Sequence, residues 1–143
     1  MQITEEGRLS ERPSMNLSIN PARYAPYLLG VLRIVTAFLF MQHGTAKLFG
    51  FPHVDMFKGL KLLSLLGAAG VLEIFGGALL LVGFLTRPTA FVLSGMMAVA
   101  YFMAHFPKGA LPILNQGESA VLFCFIFLFL TAAGPGRFAV DRS

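Results

Sequence analysis

The chain has 143 residues, 56% of them hydrophobic and 13% charged, with a formal net charge of +4. That charged share is about half the usual one for a soluble domain, and a soluble protein so composed would expose too much apolar surface to stay dissolved. The basic residues form no dense stripe, so nucleic-acid binding is excluded, and basic loops beside membrane spans explain the charge.

Taken in chain order, residues 1–23 mix both charges and lack an apolar stretch. They read as a cytoplasmic tail rather than a secretory signal. Residues 24–143 then form one transmembrane domain. The first span is expected over 27–50, with Pro26 ahead of it and Tyr24 and Tyr27 suited to the headgroup level. Between the first two spans, Val54, Met56, Phe57, Leu60 and Leu63 recur at near-helical spacing, with Asp55, Lys58 and Lys61 between them. This pattern predicts a short interfacial helix. The second span is expected over 64–85 and carries Gly67, Gly70, Gly76, Gly77 and Gly83, small residues that let membrane helices approach closely. "LTRP" (Leu85–Pro88) is a tight turn, so the second span and the third, over 89–106, form an antiparallel hairpin. "FPKGALPILNQGE" leads to the fourth span, over 118–133, and "GPGRF" closes it. The fold class is therefore all-α, a polytopic bundle of four transmembrane helices.

An even number of spans puts both termini on one side. Arg8, Arg12, Arg23, Arg87, Arg137 and Arg142 gather there, against Lys58, Lys61 and Lys108 on the other side, which makes the termini cytoplasmic. The lone Cys124 reads as a small packing residue and makes no thiol relay within the chain.

The candidate site is the set of polar residues inside the apolar runs. In this topology His43 and Lys47 lie in the outer third of the first span. His105 and Glu118 sit at the outer ends of the third and fourth, and Glu73 lies near the middle of the second. Arg33 lies roughly 15 Å inward of His43 at helical rise. Arg33 and Lys47 share one stripe, with His43 on its flank. A charge in the hydrocarbon costs about 2.5–3.5 kcal/mol or more, so such groups face the bundle interior and find partners. Glu73 is the natural partner of Lys47 or His43. Each residue also has a structural reading: Arg33 and Lys47 as snorkelling or ion-pair anchors, Asn115 as a helix cap, His53 as a loop histidine. No metal site is expected.

The same residues carry a family pattern. "LRIVTAFLFMQHGTAKLFGF", "GVLEIFGGALLLVGFLTRPTAF", "MAVAYFMAHFPKG" and "LNQGESAVLFCFIFLFLTAAGPGRFAVD" resemble the DoxX family of small bacterial membrane proteins. The shared elements are Arg33; the HGxxK of His43, Gly44 and Lys47; the ExxGG of Glu73, Gly76 and Gly77; and the closing GPGRFxxD of Gly134–Phe138 and Asp141. The resemblance implies a four-helix protein of the bacterial inner membrane. It also implies roles around thiosulfate:quinone oxidoreductase subunits, defence against thiols, catechols and quinones, or oxidative stress. It indicates architecture better than chemistry.

Three functional readings follow. In the first, the chain is a redox-associated subunit acting on or near quinones, an enzyme only as part of a quinone-linked oxidoreductase. His43 and Glu73 would be the catalytic proton carriers, with Arg33, Lys47, His105 and Glu118 as ligand contacts. The second is non-enzymatic: a small-molecule carrier, which at this size would have to oligomerise, or a membrane anchor for a soluble partner enzyme. The third places a b-type haem between His43 and His105.

Overall fold

The computed structural model describes residues 20–142, so most of the expected cytoplasmic tail, with Arg8 and Arg12, lies outside the described residues. The described residues form helices without strands: α1 (Ala25–Phe49), α2 (Leu65–Val82), α3 (Thr86–Ala100), a short α4 (Pro112–Asn115) and α5 (Glu118–Ala133). α1 packs on α2, α3 packs on α5, and α2–α3 and α1–α5 contacts join the two pairs.

Local chemistry sets the boundaries. Gly50 takes a left-handed conformation (φ 66°) and returns its N–H to Ala46, which ends α1. Ser64 caps α2 by accepting from Gly67 N, and Gly83 (φ 69°) stops it three residues before the expected end. Leu85, also left-handed, makes the turn into α3, which starts at Thr86 rather than at residue 89. Beyond Ala100 the chain stays helical but loosens into a π turn over Tyr101–His105, then tightens into a 3-10 turn over Phe106–Lys108. α5 matches its expected bounds. The interfacial segment differs from expectation. It holds one 3-10 turn at Asp55–Phe57 rather than a helix, because Pro52 and the left-handed Gly59 (φ 76°) leave too short a run between breakers.

Outward-facing positions are apolar: Val31, Val35 and Phe38 on α1, Phe75 on α2, Phe91 on α3, Phe125 and Phe129 on α5 are exposed. The interior is built from small residues and a few large ones, Ala37, Phe40, Leu80, Ala90, Leu93 and Phe127. This inverts the soluble pattern and suits a lipid environment. Three stretches are long and apolar enough to cross a membrane: Ala25–Phe49, Leu65–Val82 and Thr86–Lys108. α5 is equally apolar but has only 16 residues.

The helices approach most closely where glycine removes the side chain. A Cβ at Gly44 would lie 2.8 Å from the Gly70 carbonyl oxygen and 3.0 Å from Glu73 Cβ. This contact brings the C-terminal half of α1 against the first half of α2 and fixes the spacing of the polar groups that follow it.

Candidate site in the α1–α2–α3–α5 cavity

One helical turn beyond Gly44, Lys47 faces Glu73 across the α1–α2 seam. Lys47 Nζ donates to Glu73 Oε1 at 2.5 Å, and both side chains are about nine-tenths buried or more (10% and 5% exposed). Lys47 thus pairs with Glu73, one of the two pairings that depth alone allowed. The ammonium also lies 5.4 Å from the centre of the Phe57 ring, a cation–π contact that brings the Asp55–Phe57 turn over the pair. The other carboxylate oxygen, Glu73 Oε2, is buried and has no hydrogen-bond partner among the described residues.

That oxygen belongs to a residue lining a cavity of about 260 Å³ among α1, α2, α3 and α5. Phe40, Phe123, Phe57, Met96 and Met97 supply apolar wall, and His43, Lys47, Glu73 and His105 supply polar groups. Phe40, in the cavity wall, packs edge-on to Phe127 behind it, with ring centres 4.8 Å apart. Lys108, Gln116 and Ser119 line the cavity from exposed positions.

The two histidines are oriented by backbone. His43 Nδ1 lies 3.2 Å from the Leu39 oxygen and His105 Nδ1 lies 3.1 Å from the Asn115 oxygen. A carbonyl only accepts, so each Nδ1 carries hydrogen, and in the neutral ring Nε2 keeps the lone pair. Phe123 meets the His43 ring edge-on at 5.7 Å, and Tyr101 stacks on His105 at 6.3 Å.

The remaining candidates lie elsewhere. Arg33 is fully buried but at the opposite end of the bundle. Its guanidinium donates to Leu80 O (3.0 Å), Arg137 O (3.3 Å) and Phe138 O (2.7 Å), so it binds backbone and does not meet Glu73. Glu118 is exposed in the first turn of α5 and is not part of the cavity wall; an acidic group there complements the helix dipole. Asn115 is buried and holds the α4–α5 loop, donating to Gly109 O and accepting from Gly117 N. His53 pairs with Asp55 on the surface.

The DoxX family model matches residues 28–106, more than half of the chain, and spans α1 to the π turn that carries His105. The chain belongs to the DoxX family. Two relatives agree with this. A Haemophilus influenzae protein described as uncharacterized is 46% identical over 128 residues, covering 86% of this chain and 95% of its own. The inner membrane protein YqjF of Escherichia coli is 29% identical over 121 residues, covering 78% of this chain and 88% of its own. No solved structure matches significantly. This DoxX-family chain is therefore a membrane protein.

The closing motif of this DoxX-family chain proves to be structural. Arg137 N donates to Pro26 O, Val140 N to Val82 O and Asp141 N to Gly83 O. Asp141 accepts from Leu85 N and Thr86 N at 2.9 and 2.8 Å and so supplies the cap that α3 lacks in its own sequence. Arg87 donates to Thr131 O and Ala132 O, closing the C-terminus of α5. Gly83 and Gly30 must be small, because a Cβ at either would collide with the Arg33 guanidinium or the Arg137 carbonyl. Sequence reading missed the cavity roles of Phe40, Phe57, Phe123 and the methionines. Phe40 lies seven residues from both Arg33 and Lys47, and that spacing was the available signal.

Proposed function

We propose that this protein binds a small membrane-soluble ring compound of the quinone and hydroquinone class. Its role is that of a redox-associated membrane subunit, with electrons supplied by or delivered to a partner. In this reading α5 is the fourth transmembrane helix, tilted little and flanked by polar loops, and both termini are cytoplasmic. The observation that carries the reading is the cavity itself. Aromatic rings and thioethers make good walls for a flat ring, and a buried, half-satisfied carboxylate lies among them. A polar group left unpaired in such a place costs stability, and a ligand that completes it recovers that cost.

The chemistry assigned to each residue follows from its atoms. Glu73 Oε2 accepts from a ring hydroxyl. Lys47 holds Glu73 in place and balances its charge. His43 and His105, with Nδ1 committed to carbonyls, offer Nε2 as proton acceptor or donor when the ring changes redox state. Arg33 and Glu118 take no part.

The test is calorimetric titration of purified protein in nanodiscs with tetramethylhydroquinone and with tetramethylbenzoquinone, the hydroquinone kept reduced under anaerobic conditions. Saturable binding of either form, abolished by Phe40→Trp filling the cavity in a folded variant, is the expected result. Absence of saturable binding for both forms refutes the reading.

A further inference from the structure

The segment that closes the bundle has two faces, and only the inner one is accounted for by the Arg33 clamp. Arg33 draws the carbonyl oxygens of Arg137 and Phe138 toward itself. Both peptide units are trans, and in a trans unit the N–H points away from the C=O. The N–H groups of Phe138 and Ala139 are therefore turned away from Arg33, and neither donates to another described residue. Phe138 holds this arrangement at φ 60°, a conformation rare for a bulky side chain. Successive N–H groups facing one way make a concave anion site. On this outer side lies a cleft that Arg137, Phe138 and Ala139 line together with Tyr27, Asp141 and Arg142.

The side chains of the cleft have the matching chemistry. Arg137 lies over the Tyr27 ring, 5.1 Å from its centre, and gives one N–H to the Tyr27 hydroxyl at 3.3 Å. A guanidinium has five N–H donors in a fixed fork, so the ring orients it and leaves donors for an anion. Arg142 adds a second exposed guanidinium. The acidic residue of the lining, Asp141, has both carboxylate oxygens committed to Leu85 N and Thr86 N. Forked arginines beside free backbone N–H groups are the usual means of holding phosphate. We infer that this cleft binds the phosphate of an anionic phospholipid headgroup. Arg137 N donates to Pro26 O in the first turn of α1, which sets the cleft where that apolar helix meets the headgroups. Phe138 and Val140, both exposed, flank it. A lipid's glycerol and upper acyl chains cover that apolar surface, whereas a free phosphate ion leaves it wet. The inference is independent of ring binding in the cavity at the other end of the bundle.

The experiment titrates delipidated full-length protein in detergent with phosphatidylglycerol and with the diacylglycerol of the same chains, and counts bound lipid by native mass spectrometry. Diacylglycerol keeps the apolar part and lacks the phosphate. Phosphatidylglycerol should fill one site per chain about tenfold more tightly than diacylglycerol, or better. Arg137→Gln should bring the two within about threefold, the remaining backbone donors supplying the rest. Arg23→Gln removes the same charge from an exposed residue just ahead of α1 but outside the cleft, and should leave the preference intact. Both substitutions keep the backbone bonds to Arg33, so the unfolding temperature without lipid should not change. Phosphatidylglycerol no tighter than diacylglycerol overturns the site. An equal loss in Arg137→Gln and Arg23→Gln overturns it in favour of a diffuse basic face. Inorganic phosphate that displaces phosphatidylglycerol at equal concentration overturns the lipid as the source of the anion.

Discussion

Replacing Arg33 by Met tests whether this arginine holds the bundle or a ligand. Three carbonyl oxygens lose a donor. Leu80 O keeps the Gly83 N–H at 3.2 Å, whereas Arg137 O and Phe138 O have no other partner among the described residues. Leaving those two unsatisfied costs about 1–3 kcal/mol each. Arg33 Nε is itself buried without a partner, so its removal returns about 1 kcal/mol of that. The net loss is about 3 kcal/mol. Hydrophobic replacement often rescues a buried ion pair, but not here, because the partners are backbone atoms that stay when the side chain goes. The assay is thermal unfolding in detergent together with limited proteolysis of the segment after Gly134. Arg33→Met should unfold at lower temperature and be cut there rapidly. Arg33→Lys, with a compact charge and fewer directed donors, should fall between. Hydroquinone affinity of the folded fraction should be unchanged. A variant that keeps wild-type stability and protection but loses ligand binding would refute the clamp.

Asp141→Ala should cost about 1 kcal/mol, the usual worth of a helix cap, read as a lower melting temperature. The N–H groups of Thr86 and Leu85, with Arg33 further off, hold the Asp141 carboxyl below its ordinary pKa. A depressed carboxylate contributes stability above its unfolded pKa and loses it as pH falls through the folded value. The gap between wild type and Asp141→Ala should therefore be constant near neutrality and close at acid pH; a gap unchanged by acid would count against the cap. Lys47→Met alone should destabilise by about 3–5 kcal/mol by stranding Glu73, while Lys47→Met with Glu73→Met should return close to wild-type stability and still fail to bind hydroquinone, as a double-mutant cycle would show. Gly44→Val should force α1 from α2 at the Gly70 carbonyl, cost about 1–3 kcal/mol, and weaken hydroquinone binding by separating Lys47 from Glu73; unchanged affinity would count against the seam as the site's foundation.

Much of this was legible in the sequence for a physical reason. Apolar runs of bilayer length, and the helix stop at Gly50, are local signals, whereas the stop at Gly83 was read as part of the span because glycine also serves close helix packing. The Lys47–Glu73 pair was within reach because a buried charge needs a partner and depth narrows the choice to two cations. Arg33 was misleading because its partners are carbonyl oxygens, and every residue has one. Nothing in a sequence marks which carbonyls will converge. The cap from Asp141 was hidden for the same reason, since the usual signal is a polar residue immediately before the helix and Leu85 stands there. The π turn that presents His105 depends on how α3 packs against α5 and left no trace in the pattern of apolar residues. The short α4 fell inside a stretch rich in Pro and Gly, where breakers dominate the reading.

The clamp around Arg33 also sets a timetable. Two of its three carbonyl acceptors lie 104 and 105 residues later in the chain. At about 5–20 residues per second of synthesis, the arginine exists for roughly 5–20 s before the last two oxygens that will hold it. During that interval α1 must enter the membrane carrying a charge without its final partners, while α2, α3 and α5 are still being made. The helices can assemble beforehand, but the bundle locks only when Arg137 and Phe138 arrive. Quality control that samples nascent membrane proteins would find this one open at one end until translation has passed those two residues.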